Sequence, residues 1–348
     1  MYYLNMKNLW HKQTDGTQPP IDFVIPWVDG ADPDWLHERE QYNENAGCSD
    51  TRDVRYRDWN NLQYWFRGVE ENAPWVRKIH LITWGHVPKW LDVNHPKLNI
   101  VYHKDYIPSR YLPTFNSHTI ELNLHRIPGL SECFVYFNDD IFVTDTLSPS
   151  DFFKNGLPCD TFSLNCIFFG NDSVGHIHGS DIEAINRNFN KKRLMKKVWK
   201  KWFNPKNGLK NIVRTSLLMP WPWFPGLYYQ HLANAYCKST FETVWAFEED
   251  NLDRTCCCRF RDFSNLNQWI FKFWQLASGA FYPRSSRLGR CFHIKDSNYL
   301  GACNCIKEST YRLICLNDTA NTTDFELKKN AVLSALEERF PHKSSFEL

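Results

Sequence analysis

The sequence has no run of about 18 apolar residues, which is the length that a transmembrane helix requires. Its first residues, MYYLNMKNLWHKQ, lack the long apolar stretch of a signal peptide. Internal repeats and low-complexity tracts are also missing. These absences predict a cytoplasmic protein with an ordinary folded core.

Neither sign of charge is in large excess. The 41 Lys and Arg residues against 39 Asp and Glu residues leave a net charge of +2. No overall electrostatic field therefore favours a nucleic acid as partner, and a basic surface that matters must be local. No nucleic-acid recognition motif accompanies the local basic segment described below, so we expect no nucleic-acid partner.

The 12 cysteines lack the C-x2-C pairs of a zinc ribbon. They cluster twice, as CCC at 256–258 and as CNC at 303–305. In a cytoplasmic chain such residues are mostly reduced and buried thiols. The alternative that the sequence leaves open is a cross-link between the two clusters, through a metal ion or a disulfide.

The 348 residues, 43% of them hydrophobic, are enough to fill the core of one large domain. Short β-rich runs alternate with helical or turn-rich segments. This alternation predicts an α/β fold with a mostly parallel central sheet. The predicted strands lie in residues 21–28, 78–84, 98–104 and 133–139, and helices are predicted to begin near Asp34 and within 59–74.

Acidic residues follow two of the predicted strands. Asp29 comes after the first strand, and Asn138, Asp139 and Asp140 interrupt the run YFNDDIFV. Ligands of parallel sheets bind beyond the carboxyl ends of the strands, so both groups lie where a ligand would bind. The two adjacent carboxylates repel each other, and a divalent cation would offset that repulsion. The alternative is that one aspartate caps the next turn.

Residues 191–210 contain nine basic residues and no acidic one. Their apolar residues recur at the spacing of one helix face. The segment is either a solvated helix that packs this stripe on the core, or a surface helix that contacts anionic lipid or a negatively charged acceptor. The stripe consists of Leu194, Met195, Val198, Trp199, Trp202 and Phe203.

Four stretches of the chain resemble the conserved regions of the Stealth family of sugar-1-phosphate transferases. The second is the longest, from RYRDWNNLQYWFRG through CFVYFNDDIF to DFF, and it is very specific. The third keeps the first histidine of a His-x-Pro-His stretch, where this chain reads HLAN. The first stretch is IDFVIPWVDGADPDW, the third begins HLANAYCKSTFETVW, and the fourth is ICLNDT, followed by ALEERFPHKSSFEL.

The resemblance implies a Rossmann-like nucleotide-diphosphosugar transferase fold of glycosyltransferase A type. It also implies that an acceptor hydroxyl attacks the β-phosphorus of a UDP-sugar, with Mg²⁺ or Mn²⁺ as cofactor. The sugar then leaves with its phosphate, UMP is released, and a phosphodiester forms on a glycan in capsular or cell-surface polysaccharide synthesis. We expect one catalytic domain over 1–348. Within it we expect a nucleotide-sugar and metal-binding part at 20–155, a basic and aromatic helical insertion at 156–227, and a part completing the active site at 228–348.

The same resemblance assigns roles to residues of the reaction centre. It places metal-binding or catalytic carboxylates at Asp139 and Asp140, and a further catalytic residue at Glu121. His231 becomes the general base, because imidazole titrates in the range that proton transfer requires. Arg261 becomes the residue that holds phosphate oxygens, which a guanidinium can contact in pairs.

The first conserved stretch is expected to bind the nucleotide. Trp27 would stack on the base or form a wall beside it. Asp29 and Gly30 form the turn at the end of the strand, where a glycine lets the backbone approach a ligand. Arg57 is a predicted phosphate partner. Arg126, with His125, lies about one helical turn after Glu121 on or near the same face, and is expected at the donor site; an ordinary surface ion pair is the alternative for these three residues.

In the fourth stretch, Asn317 and Asp318 are predicted to orient the phosphate and the metal, although turn formation alone would explain such a pair. Two other functions stay open. One is a conventional metal-dependent glycosyltransferase that releases UDP, and the other is an inactive relative that binds polysaccharide or lipid. The basic segment at 191–210 further predicts peripheral contact with the anionic inner face of the plasma membrane.

Overall fold

A computed structural model describes residues 19–43, 56–170, 173–295, 297–318 and 324–348. The strands are β1 Ile21–Pro26, β2 Ile79–Thr83, β3 Leu98–Tyr102, β4 Cys133–Tyr136, β5 Ile141–Val143, β6 Phe153–Lys154, β7 Leu157–Asp160, β8 Asn234–Cys237, β9 Tyr282–Pro283, β10 Gly289–His293 and β11 Leu313–Asn317. The α-helices are α1 Pro33–Asn43, α2 Leu62–Asn72, α3 His103–Tyr106, α4 Ser117–Leu122, α5 Pro149–Phe152, α6 Ser173–Asn188, α7 Lys191–Trp202, α8 Leu209–Leu218, α9 Lys238–Cys257, α10 Trp269–Ser278, α11 Tyr299–Lys307 and α12 Phe325–Arg339. Short 3-10 turns lie at Ser109–Tyr111, Leu124–Arg126, Pro205–Asn207 and Ser286–Leu288.

The central sheet has five strands in the order β3-β2-β1-β4-β8. Its first four strands are parallel to one another, and β8 joins β4 in antiparallel orientation. The order 3-2-1-4 is that of Rossmann-like sheets, in which ligands bind at the carboxyl ends of the strands. The predicted α/β fold with a mostly parallel central sheet is therefore confirmed.

Both faces of this sheet are covered, which explains why its strands are apolar at almost every position. Along β1, the side chains of Phe23 and Ile25 pack into one core, and Val24 packs into the core on the opposite face. Helices α2 and α12 cover the first face, and α9 and α10 cover the second. Successive side chains of a strand point to opposite faces, so one short run supplies both cores.

A second sheet, in the order β10-β11-β5, lies beside the central one. Strand β5 follows β4 after only residues 137–140, so the chain passes directly from one sheet into the other. Two backbone hydrogen bonds fix this passage: Phe137 N–H donates to the Val24 carbonyl at 2.8 Å, and Leu316 N–H donates to the Asp140 carbonyl at 2.8 Å. The Asn138-Asp139-Asp140 motif thus occupies the seam between the two sheets.

The amino end of β1 carries a buried carboxylate, Asp22, with no exposed surface. It accepts hydrogen bonds from Arg77 Nε at 2.8 Å and from the Ser131 backbone at 2.8 Å, and it lies 3.0 Å from His80 Nε2. Burial alone would raise the pKa of Asp22, but these partners outweigh it and hold that pKa below its usual value. The network joins β1, β2 and the segment before β4 at the end of the sheet opposite the motif.

The apolar stripe of the basic segment packs mainly on the core. Leu194 and Trp202 are buried, whereas Trp199 is exposed. The ammonium of Lys191 is also inside, where it donates to the carbonyl oxygens of Leu218 at 2.8 Å and Trp221 at 2.6 Å. The core-packing interpretation therefore holds for most of the stripe on α7.

Within the described residues, no helix combines the length and the apolarity needed to cross a bilayer. The division of the chain at 20–155, 156–227 and 228–348 stays a prediction.

Candidate active site

The motif at the seam and the histidine of the third conserved stretch lie side by side. His231 Nε2 is 3.4 Å from Asp140 Oδ2 and 3.0 Å from Asn138 Nδ2. The motif forms a turn closed by the Ile141 N–H, which donates to the Asn138 carbonyl at 3.1 Å. His231 comes from the segment just before β8, the strand beside β4. Residues from two separate conserved stretches therefore meet at one point.

Asp139, Asp140 and His231 shift one another's pKa values. Burial opposes ionisation of Asp140, but the charge and hydrogen bond of His231 prevail and hold the pKa of Asp140 below its ordinary value. Burial by itself would lower the pKa of His231, yet the neighbouring Asp140 carboxylate raises that pKa to about 9. Asp139 keeps contact with solvent at this turn, and partial loss of water around its carboxylate and then repulsion from Asp140 raise its pKa above the ordinary value.

The adjacent carboxylates suit a hard divalent cation. The Oδ1 atom of Asp140 is buried and has no hydrogen-bond partner in the structure. Asp139 beside it is costly to ionise, so a positive charge between the two would stabilise both. Mg²⁺ is commonly held by one or two carboxylates together with substrate phosphates. Asp139 and Asp140 therefore fit the cation that the sequence predicts.

Two cavities meet at this point. The first, here called the aromatic cavity, has a volume of about 130 Å³ and is lined by Trp27, Trp35, Tyr56, Phe115 and Asp139, among others. The second, here called the polar cleft, has a volume of about 620 Å³, within the range of ligand pockets in general. Its lining includes His231, Arg214, Tyr228, Arg290 and Asn317.

Glu121, Asn138 and Arg261 line both cavities and therefore mark their junction. Arg261 Nη2 donates to Ser117 Oγ at 2.7 Å, which anchors the guanidinium at the start of α4. Glu121 is buried, and burial raises its pKa although the Arg261 charge opposes that shift. The sequence-predicted catalytic residues Glu121, Asp140, His231 and Arg261 are thus brought together around one junction.

Of the residues predicted to bind the nucleotide, some line a cavity and others contact the chain itself. Trp27 lines the aromatic cavity, and its buried indole Nε1 has no hydrogen-bond partner in the structure. The Asp29 N–H donates to His86 Nε2 at 2.8 Å. Gly30 packs against backbone, because an added Cβ would lie 1.9 Å from the Tyr56 carbonyl oxygen. The glycine is therefore required by a close approach within the chain itself.

Arg57 and Asp318 contact each other, with Arg57 Nη1 3.3 Å from Asp318 Oδ2. The same Oδ2 atom accepts a hydrogen bond from Trp59 Nε1 at 3.3 Å. The guanidinium of Arg57 also lies over the Phe325 ring, 4.3 Å from its centroid. Neither residue is among those lining the two cavities, so their predicted phosphate and metal roles stay predictions.

The remaining two predicted residues, Asn317 and Arg126, differ in whether they line a cavity. Asn317 lines the polar cleft, and its Nδ2 atom is 2.8 Å from His293 Nδ1. Arg126 is exposed, and its guanidinium lies 5.0 Å from the centre of the Trp245 ring. It is not among the residues that line either cavity.

Two thiols beside the motif are absent from the sequence-based site. Cys291 on β10 pairs in register with Cys315 on β11, and their Sγ atoms are 3.3 Å apart. Cys315 Sγ also lies 3.3 Å from Asp140 Oδ2. A signal existed, because Cys315 is two residues before Asn317 on one strand and so shares its face. All eleven cysteines in the described part of the chain are free.

Comparison with known proteins gives consistent matches. The family models described as Stealth protein conserved regions 1 and 2 match residues 19–47 and 55–159. A capsular polysaccharide phosphotransferase, WcwK of Streptococcus pneumoniae, is 42% identical over 94% of this chain and 98% of its own length. The receptor polysaccharide phosphotransferase WefC of Streptococcus oralis is 39% identical over 94% of this chain and 99% of its own.

A third relative, the exopolysaccharide phosphotransferase cps2G of Lactiplantibacillus plantarum, is 36% identical over 94% of this chain and 96% of its own length. Among solved structures, the galactosyltransferase LgtC is 11% identical, with a TM-score of 0.37 over 90% of this chain and 95% of its own. The bifunctional glycosyltransferase WbbM is 10% identical, with a TM-score of 0.38 over 94% of this chain and 52% of its own.

Proposed function

This chain belongs to the Stealth family of capsular and related polysaccharide phosphotransferases, and we propose that it transfers a sugar 1-phosphate from a UDP-sugar to a glycan hydroxyl. The bond that forms joins the acceptor oxygen to the β-phosphorus of the donor. The bond that breaks joins that phosphorus to the oxygen bridging the two phosphates, so UMP leaves. The sugar transferred is an N-acetylhexosamine or a hexose, and the product is a phosphodiester.

The junction between the two cavities carries this proposal. The aromatic cavity offers rings, that of Trp27 among them, on which a base would stack. The larger polar cleft offers polar side chains to a hydrophilic acceptor. A donor in the first cavity and an acceptor in the second would meet at Glu121, Asn138 and Arg261. The reacting phosphorus belongs at that meeting point.

At the junction, each side chain has a task that its position permits. His231 lines the polar cleft and takes the proton of the attacking hydroxyl. Asp140 stabilises the imidazolium that forms, since its carboxylate lies 3.4 Å from the ring nitrogen. Arg261, held by Ser117, neutralises charge that grows on the transferring phosphate. Together these groups supply a base and a fixed positive charge around one phosphorus.

The metal of this reaction would be Mg²⁺ or Mn²⁺, held by Asp139 and Asp140. Once bound, it would neutralise charge on the diphosphate and share the Asp140 charge that otherwise keeps His231 protonated. The carboxylates are positioned for this by the seam, because Asp140 is tied to β11 through its carbonyl. Asp318, the third predicted ligand, would have to leave Arg57 in order to join them.

A membrane surface is the second part of the proposal. On α8, Leu209 and Leu217 are 77% and 75% exposed and lie two turns apart on one face. The loop that follows exposes Trp221 and Trp223 by 60% and 57%. Lys191 holds this loop through the Trp221 carbonyl. Exposed leucines and tryptophans beside a segment with nine basic residues and no acidic one suit the interface of an anionic bilayer.

The identity of the released nucleotide tests the reaction. The purified chain is incubated with Mg²⁺, a glycan acceptor and a panel of UDP-sugars, and nucleotides and phosphorus signals are followed together. UMP with a phosphodiester signal is the expected result. UDP as the sole nucleotide product would show a conventional glycosyltransferase. Binding of glycan without release of either nucleotide, across the panel, would favour the inactive relative.

A further inference from the structure

The proposed reaction leaves unused the two thiols that lie against its histidine and aspartate. Cys315 is buried and its Sγ atom is 3.3 Å from Asp140 Oδ2. Cys291 lines the polar cleft, and its Sγ atom is 3.3 Å from that of Cys315. Neither the transfer of a phosphate nor the binding of a hard cation requires sulfur. The thiols therefore call for a separate explanation.

Three side chains around Asp140 bring metal-ligating atoms close enough together to hold one ion. Asp140 Oδ2, His231 Nε2 and Cys315 Sγ all lie within 4.8 Å of one another. The oxygen is 3.3 Å from the sulfur and 3.4 Å from the nitrogen. Around a tetrahedral ion with bonds of about 2.0–2.3 Å, neighbouring ligand atoms are separated by roughly 3.3–3.8 Å. These two separations fall within that interval, and the third, between the nitrogen and the sulfur, is below 4.8 Å and would close on the ion.

The chemistry of the three donors selects the ion. A thiolate, an imidazole and one carboxylate oxygen are ligands typical of zinc, whereas Mg²⁺ and Mn²⁺ prefer oxygen throughout. Three protein ligands leave a fourth position open. Cys291 lies next to that centre and faces the cleft, so an ion entering from the cleft meets a thiol before it reaches Cys315. The Asn138 side-chain amide lies 3.0 Å from His231 Nε2, so it would have to rotate away for an ion to bind that nitrogen.

We propose that a thiophilic divalent cation of the zinc class binds at Asp140, His231 and Cys315 and inhibits the transferase. Binding replaces the Cys315 thiol proton and, where the ring is protonated, the proton on His231 Nε2, and both protons pass to solvent. It also occupies the Asp140 carboxylate and the ring nitrogen that the reaction needs, so the zinc-bound and magnesium-bound states exclude each other. The inhibitory part of this inference rests on the proposed function, whereas the metal site itself rests on geometry alone.

Cobalt provides a direct readout, because a cobalt–thiolate bond gives a charge-transfer band in the near ultraviolet. The full chain, reduced with a phosphine and freed of metal, is titrated with Co²⁺ and then with Zn²⁺. We expect a band that Zn²⁺ removes, that Cys315→Ser lacks and that Cys159→Ser keeps. Cys159 is a matched control because it is a buried cysteine on β7. An equal band in Cys315→Ser would overturn the site.

A second variant keeps the test decisive if Cys315→Ser does not fold. Because His231 is partly exposed at the cleft, we expect the fold to tolerate the substitution His231→Ala. If His231 is a ligand, this variant must bind Co²⁺ at least about tenfold more weakly than the wild type. Inhibition is measured separately, as the Zn²⁺ concentration that halves each enzyme's own zinc-free rate. That concentration must rise at least about tenfold in Cys315→Ser, and an unchanged value overturns the inhibitory role. Because cobalt binding requires no turnover, failure of the proposed reaction and failure of the metal site are distinguishable.

Discussion

The Nε2 atom of His231 lies 3.4 Å from the Oδ2 atom of Asp140, so the ring and the carboxylate form an ion pair whenever the ring is protonated. One partner follows the central strand β4, and the other precedes its antiparallel neighbour β8. Both sides of the pair can be changed independently by substitution. Their separate contributions to the reaction are therefore measurable.

Replacing His231 by alanine removes the proposed general base. We expect turnover, measured as UMP release, to fall by roughly 10²–10⁴-fold, which is the usual range for loss of a general base. His342→Ala is the control, since His342 is exposed and lies in the carboxyl-terminal segment. Wild-type turnover in His231→Ala would assign the role of base to another group.

Replacing Asp140 by asparagine removes one charge from the proposed Mg²⁺ site while preserving the shape of the side chain. We expect a chelator to silence the wild-type enzyme and added Mg²⁺ to restore it, and we expect Asp140→Asn to need much more Mg²⁺. Asp318→Asn is the informative comparison, because Asp318 contacts Arg57. A larger loss of Mg²⁺ affinity in Asp318→Asn than in Asp140→Asn would indicate that the metal is held mainly by the fourth conserved stretch. Full activity in excess chelator would exclude the metal role.

The substitution Arg261→Lys keeps the charge but loses the planar, two-pronged contact with phosphate oxygens. We expect the catalytic efficiency with the UDP-sugar to drop by about 10²-fold or more, as for removal of a donor that stabilises transition-state charge. The matched change Arg254→Lys lies on the exposed side of α9 and should leave the rate unaltered. Equal rates for Arg261→Lys and the wild type would contradict the assignment.

Asp22→Asn tests the buried network at the other end of the sheet. Leaving Arg77 and His80 without their carboxylate should lower the free energy of unfolding by about 3–5 kcal/mol at neutral pH. The folded pKa of Asp22 lies below the unfolded value of about 3.9. Its contribution is therefore complete above that value and is lost as the pH falls through the lower folded pKa.

Denaturant unfolding of both proteins at several pH values measures this effect. The gap between wild type and Asp22→Asn should close below about pH 4. The exposed Asp34→Asn serves as control and should change little. A gap that stays constant down to acid pH would show that Asp22 acts through packing rather than through charge.

The membrane surface is tested with vesicles that contain anionic lipid. Binding should be strong at low ionic strength and should weaken as salt rises, because exposed charge is screened. The double variant Leu209→Ser, Leu217→Ser should bind at least about tenfold more weakly, since it removes two apolar side chains from the interface. Leu327→Ser is a matched control, because Leu327 is 57% exposed on α12. Equal binding of the double variant and the wild type would show that α8 does not contact the membrane.

The strands β1 to β4 were predictable because each is a short apolar run ended by turn residues. The second sheet was not, since β5 has only three residues and finds its partner β11 far along the chain. The contact of Cys315 with Asp140 depends on that pairing, and the two-residue spacing from Asn317 indicates only the face on which Cys315 lies. Tertiary pairing of this kind cannot be derived from periodicity alone.

The candidate site was predictable where a conserved stretch supplied the residue, as for Glu121, Asp139, Asp140, His231 and Arg261. The position of Lys191 was not predictable, because its burial depends on carbonyl groups of the loop at 218–221. A lysine within a basic segment is normally solvated. Its partners belong to the end of α8 and the loop after it, which are distant from Lys191 in the sequence.

The two cavities are lined by different halves of the chain. Apart from the three shared residues and His118 in the polar cleft, the aromatic cavity takes its lining from residues 26–139, whereas the polar cleft takes its lining from residues 165–317. Under the proposed assignment of the donor to the aromatic cavity and the acceptor to the polar cleft, the two preferences would be inherited separately. Exchange of the later half between relatives would then change the acceptor while the donor stays the same.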